Sequence, residues 1–470
     1  MIRKIKFKPP SSRFFADTLL VLLSAIILCN KAFFNGFPFF YSDTGTYLWT
    51  AFSNYAPIDR PLFYGVFVKH TSLMTSLWLV VLAQALCIAI PLFYCFKYFS
   101  GTPKFRVYYL IYVFIITFFT GVSINVGQLI PDVFAPVALL CIALFLFAPK
   151  LKLIETVMIS FIFVISVGVH NSHFIITTLI LLIFLSAFII KKIRLILQKG
   201  QVKVLRILYA LLLVASSYLL VSTIHYNAGL KFAVSRYGHV FFMARLFDCG
   251  ILEQYLHDAC PKHNYKICEY EHKFPWDFLW DYQTSPLYKN GGWEGNRDEF
   301  NMIINDILTT PKYWPRLIAR ETEATVKQFF TFETGDTAPQ ADGSSSVNAV
   351  QYNWPENVKE FYQSKQAGKR LDWTMLNMFQ SYLMAFLFLC SMLVYFVPGF
   401  NPKYKLYLTY ILIALLVNAF VCGSVACIVD RFQSRVIWLL TLPFMLYLAN
   451  REVSFKPLKK IFSTSRDSEP

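Results

Sequence analysis

Apolar residues run along this chain in long blocks, and one polar stretch, residues 226–374, interrupts the series. A bilayer core of about 30 Å takes roughly 20 apolar residues of helix. Ten blocks are expected spans: Phe14–Phe34, Leu73–Phe99, Val107–Val126, Val133–Ala148, Leu153–Val169, Phe174–Ile190, Ile207–Ile224, Met375–Val397, Leu406–Val429 and Val436–Leu448. The fourth and tenth are short, and Pro91 and Pro136 are expected to kink their helices. The first run is too long for a removable leader, and Cys29-Asn30-Lys31 offers no small-residue cleavage site. The expected fold is a polytopic α-helical membrane protein of about ten transmembrane helices. Residues 14–225 form a module of seven helices with a long first outer loop, 35–72. Residues 226–374 form a mostly helical domain outside the bilayer. Residues 375–449 supply helices eight to ten, and the tails are 1–13 and 450–470.

Within the polar stretch, Phe300, Ile303, Ile304, Ile307 and Leu308 trace the stripe of an amphipathic helix over Asp298–Thr310. Further helices are expected over Tyr237–Leu256 and Tyr313–Phe330. Asp336–Val350 is rich in Gly, Ser, Ala and Asp without periodicity and is expected to be a mobile loop, placed to close over a site.

Composition agrees with a membrane chain. Of 470 residues 56% are hydrophobic and 15% charged, against about 25% charged in soluble domains, which excludes an ordinary soluble enzyme. The formal charge of +16 admits two meanings, a nucleic-acid surface or the orientation signal of a membrane protein. Position decides. Of the 44 Lys and Arg residues, 23 fall in the tails and in alternate short loops, whereas the opposite short loops hold only Arg60, Lys69, Arg431 and Arg435. Residues 226–374 carry 16 basic and 19 acidic side chains, so nucleic acid is not an expected partner. Both termini are expected on the cytoplasmic side of a cytoplasmic membrane, with the large domain outside. Oligomeric state is left open.

Seven of the ten cysteines lie in the expected spans, and Cys249, Cys260 and Cys268 lie outside. An oxidising compartment allows a Cys260–Cys268 disulfide closing a small loop, the alternative being free thiols.

Polar residues in membrane proteins are costly where they meet the bilayer and mark function. Here they gather at the outer helix ends: Asp43 and Tyr47, Asp59-Arg60, Gln128 and Asp132, His170 and His173, and Arg431 with Arg435. Each has a bland reading. Asp43 and Asp132 suit helix N-caps, Asp59-Arg60 a local ion pair, the histidines backbone-satisfied interfacial positions, and the arginines a reach to lipid phosphates. Their shared face favours a site. A carboxylate there serves as a base on an acceptor or holds a divalent cation through oxygen, and arginines grip phosphate by paired hydrogen bonds.

The order of parts resembles the GT-C superfamily of polytopic glycosyltransferases, which includes oligosaccharyltransferases, protein mannosyltransferases and aminoarabinose transferases. The first span leads into an outer loop bearing Ser42-Asp43, then Arg60-Pro61-Leu62-Phe63-Tyr64, similar to the Arg-Pro-Pro-Leu-Tyr run of many bacterial members. The segments Asp277-Phe278-Leu279-Trp280-Asp281 and Gly291-Gly292-Trp293-Glu294-Gly295 look similar to uncharacterised bacterial membrane proteins. The resemblance implies a polyprenyl-phosphate sugar donor, membrane lipid as a partner, and Asp43 as the catalytic acidic residue. Arg60, Arg431, Arg435, Tyr47 and Gln128 are then candidates for the donor phosphate, and Asp59, Asp132, His170 and His173 for the pocket or a cation. The chain departs from the family's paired acidic motif, having Tyr41 and Gly45 two positions either side of Asp43. Asp59 or Asp132 is the candidate second carboxylate.

Two other readings stand beside it. A transporter or flippase of a lipid-linked or anionic substrate would use polar residues at mid-depth, for which Asp17, Gln84 and Asn418 are the candidates. A surface-polysaccharide ligase or polymerase would share the topology but take a pyrophosphate-linked donor.

Overall fold

The computed structural model describes residues 12–53, 55–335, 343–397 and 400–451. The tails beyond these, and residues 336–342 of the expected loop, lie outside the described residues. Among the described residues the chain is helical and without strands.

Five helices are long and apolar enough to cross a membrane: Leu77–Phe99, Val204–Asn227, Thr374–Phe396, Pro402–Val425 and Asp430–Arg451. Asn171–Ser186 with Lys191–Lys199 makes a sixth if the pair is one span, bent by 109° at the break. Phe105–Phe119, Pro131–Phe147 and Leu153–Gly168 are apolar but shorter. The first apolar run is also divided, into Ser12–Leu28 and Asn30–Asn35. Outward-facing side chains recur at helical spacing, as in Leu205, Leu208, Leu212 and Leu219 on one helix and Phe386, Leu389, Leu393 and Phe396 on another. A contiguous exposed apolar surface of this kind suits lipid rather than water. The chain is thus an α-helical membrane protein.

The short fourth segment proves to be the centre of the bundle. Every residue of Phe134–Phe147 is buried, as expected of a helix that is apolar all round. Leu77–Phe99 and Leu153–Gly168 pack on it, with Val204–Asn227, Asn171–Ser186 and Pro402–Val425 around them. Pro136 falls in its first turn, where the missing N–H has no intrahelical partner to lose. Pro91 lies inside Leu77–Phe99, which runs on as one helix.

The stretch 226–374 falls into two parts. Residues 240–313 have their own apolar core around Val240, Leu252, Phe278, Phe300 and Ile303. The expected Tyr237–Leu256 helix is two, Gly238–Asp248 and Ile251–Ala259, because Gly250 takes a left-handed φ of 66° between them. The amphipathic stripe forms Arg297–Thr309, though Leu308 faces solvent. Cys260 and Cys268 are disulfide-bonded.

The second part, residues 343–373, joins the core of the membrane module instead. This corrects the expectation of a mobile loop over Asp336–Val350 as far as its described residues go. Ser344 caps a helix, Ser345–Asn353, whose Val347, Ala349 and Val350 are buried. Ser346 Oγ accepts from the Gly45 amide at 3.1 Å and donates to the Tyr41 carbonyl at 2.9 Å. Gln366 bonds both backbone groups of Phe40, and Phe361 stacks on Phe40 with centroids 5.0 Å apart. The helix therefore straps down the loop that carries Asp43. Absence of periodicity hid it, since the segment buries one short face and satisfies the rest with serines.

Gly45 makes this close approach possible, because a Cβ there would collide with the Ser345 backbone. Gly45→Ala is expected to cost about 1–3 kcal/mol, the usual penalty of overpacking. It should lower the melting temperature of the purified protein and speed protease cleavage within 343–373, with Gly295→Ala, whose Cβ would meet only the Asn290 carbonyl at an ordinary 3.7 Å, as the neutral comparison.

Candidate functional site

The site is built on the N-terminal end of the central helix, Phe134–Phe147. A turn of 3-10 helix, Pro131–Val133, places Asp132 there, buried. The loop that leads into it is tied to the segment before Asp43 by the Phe39–Gln128 bridge. Gln84, one of the mid-span polar residues, locks this junction. Its amide donates to the carbonyls of Val126 and Gln128, and its oxygen accepts from the Tyr64 hydroxyl.

Six charges meet in a chain. Asp59 binds Arg60 at 2.5 Å. Arg60 reaches Asp43 at 3.1 Å, and Arg431 holds the other Asp43 oxygen at 3.1 Å. Arg431 also lies 3.6 Å from Asp132, which Arg435 binds at 2.5 Å. Three carboxylates and three guanidiniums thus balance. Aromatic rings support the cations: Arg60 lies over Tyr47, and Arg431 over Tyr41 and Phe432. Side-chain exposure falls along the chain, from 23% at Asp43 to 4% at Asp132 and 0% at Arg435.

The geometry changes several expected roles. Asp43 precedes the helix Thr44–Ser53, but both its carboxylate oxygens face arginines. Burial alone would raise its pKa, and the guanidiniums of Arg60 and Arg431 outweigh that and hold it below the usual carboxylate value. Arg435 is not open to a ligand. Its Nη1 serves Asp132, and its Nη2 serves Asn418 and Cys422. Asn418, the other mid-span candidate, also donates to Gln433 and to the Phe432 carbonyl, so it braces the arginine helix. Asp17 pairs with Arg106 at 2.6 Å. None of the three mid-depth residues marks a path through the bundle.

His170 caps Asn171–Ser186 by accepting from the Ser172 amide. Its ring centroid lies 5.2 Å from that of His173. His173 is buried, with Nδ1 on the Ser166 carbonyl at 2.7 Å and Nε2 without a partner. Gln128 and Tyr47 are both buried, as part of the junction and beneath Arg60. Among the described residues no three His, Cys, Asp or Glu side chains gather as a metal site. The carboxylates here are opposed by guanidiniums instead, a donor set that does not fit a bound cation. Sequence reasoning missed Tyr41, Ser346 and Gln84 as parts of the site. Ser346 carried no signal, lying some 300 residues from the loop it holds.

The chain matches no family model, no curated protein and no solved structure.

Two outcomes test this electrostatic description. Removing one partner of a buried ion pair leaves an uncompensated charge and costs about 3–5 kcal/mol. Arg435→Met should therefore destabilise severely, and Arg435→Met with Asp132→Leu should regain much of the loss in a double-mutant thermal-melt cycle. The second concerns pH. Asp43 is depressed on folding, so its contribution is present above the unfolded carboxylate pKa of about 4 and is lost as pH falls through the lower folded value. The stability difference between wild type and Asp43→Asn should stay flat from about pH 6 to pH 8 and shrink only on acidification below about pH 4.

Proposed function

We propose that the chain is a GT-C-like glycosyltransferase of ten membrane spans. Both termini lie in the cytoplasm, and the sugar moves from a polyprenyl-phosphate donor to a lipid, glycan or protein acceptor at the outer face of the cytoplasmic membrane. One observation carries this reading: a carboxylate and two partly accessible guanidiniums, Asp43, Arg60 and Arg431, converge at the outer end of apolar helices. Base and phosphate ligands thus stand within one side chain's reach of each other, at the level where a lipid-linked phosphate would sit.

In the transfer, the acceptor oxygen attacks the sugar C1 as Asp43 takes the acceptor's proton. The C1–O bond to phosphate breaks, and its electron pair leaves on the polyprenyl phosphate. Arg60 and Arg431 stabilise the charge that grows on that phosphate. Attack opposite the departing phosphate inverts C1. Arg435 has a different part from the phosphate ligand expected of it: it fixes Asp132, which in turn aims Arg431. Tyr47 supports Arg60 from below.

The buried bracing roles of Gln84 and Asn418 favour this reading over a transporter. The network's neutrality suits a singly charged phosphodiester better than a pyrophosphate donor.

The test compares lipids and glycans of cells with and without the protein by mass spectrometry. A hexose- or pentose-modified species should require the protein, and Asp43→Asn should lower its formation by at least about 100-fold, the scale of lost general-base catalysis, at unchanged protein level. Full product from Asp43→Asn would sink the central claim.

A further inference from the structure

A carboxylate held by two guanidiniums is a poor base, and two guanidiniums already neutralised are poor phosphate ligands. The resting site therefore has both functions masked, and the geometry shows which contact gives way.

Three features single out Asp43. Its two contacts, each 3.1 Å, are longer than the 2.5 Å pairs at Asp59–Arg60 and Asp132–Arg435. It is the most exposed of the three carboxylates, at 23% against 12% and 4%. Arg60 meets it by charge alone: Nη1 makes no aligned hydrogen bond, whereas Nε and Nη2 both bond Asp59. Arg431 and Arg435 each keep a buried Nε–H with no acceptor, and of the two only Arg431 is partly exposed, at 17% against 0%. A buried guanidinium N–H without a partner costs free energy that an incoming oxygen would recover.

The backbone is set for such an exchange. Ser346 and Thr44 hold the turn around Asp43 through the Tyr41 and Gly45 main chain, so the carboxylate can rotate while its loop stays in place. Charge count points the same way. The network is neutral as it stands, and Arg60 and Arg431 can neutralise a phosphate only where Asp43 gives up its contacts with them.

We infer that Asp43 is a displaceable counter-ion: a single lipid phosphate takes over Arg60 and Arg431, and the carboxylate it frees becomes the base. Binding of the donor and activation of the base are then one event, and without a donor the site holds no active base to misdirect a water. This rests on the transferase reading above.

The experiment uses the full-length protein in nanodiscs and geranylgeranyl phosphate as probe, with geranylgeraniol as the uncharged control. Asp43→Asn removes the competitor without removing shape. It should bind the phosphate about tenfold more tightly than wild type, within the usual range of coupling between sites, and should leave the alcohol's binding unchanged. Arg431→Gln should bind more weakly. Asp59→Asn, which removes a carboxylate that stays in place, should give a smaller gain. Should Asp43→Asn not yield folded protein, Asp43→Ser carries the same expectation. Equal or weaker binding by the Asp43 variant, or an equal gain from Asp59→Asn, overturns the displacement and leaves the transferase reading standing. Failure of every variant to prefer phosphate over alcohol overturns the inference and removes the phosphate site itself, whatever the glycan comparison shows.

Discussion

Six largely buried charges at one end of the apolar helices have little water to solvate them, so they must neutralise one another. This constraint organises that end of the bundle. Asp132 is buried because it ends a helix that is itself buried on every side, and a lone carboxylate there would be intolerable. Arg435 answers it from Asp430–Ile437, and that pairing brings the last helical segment against the centre of the bundle. Arg431, one turn earlier, then reaches the loop that carries Asp43. The ion-pair chain thus fixes the relative placement of three regions remote in sequence: residues 43–60, 132 and 431–435.

The same arithmetic shapes the chemistry. Buried ion pairs are weak evidence for stability, and a purely structural network would be expected to have its contacts short and fully bonded throughout. This one is tight at both ends and slack in the middle. The slack lies where exposure is greatest, at the two 3.1 Å contacts of Asp43. A gradient from rigid support to accessible partner suits a site that must exchange one anion for another while keeping its frame.

Much of this was legible in the sequence because membrane chains segregate their residues strongly. Apolar blocks gave the helices, and the chemistry-bearing residues stood out against them: Asp43, Asp59, Arg60, Asp132, Arg431 and Arg435 do form one network. Their individual roles were not legible, because pairing depends on distances that periodicity does not encode. Arg431 and Arg435 look equivalent at spacing of one turn, yet one is partly open and the other sealed. The fourth segment stood out only as short for a span, and its 14 residues form a helix buried on every side. The strap 343–373 escaped notice because long-range docking through Ser346 and Gln366 leaves no local pattern.

That strap bears on how the outer segments work as a unit. The polar stretch is not simply a domain hung above the bundle. The helix Trp314–Phe330 packs closely against Pro402–Val425, where Gly423 meets the Ala324 carbonyl, and Gln328 bonds both backbone groups of Val429 just before Asp430. On the other side, Ser345–Asn353 holds the loop that carries Asp43. One continuous polypeptide therefore grips both halves of the ion-pair chain, the arginine side through Gln328 and the aspartate side through Ser346.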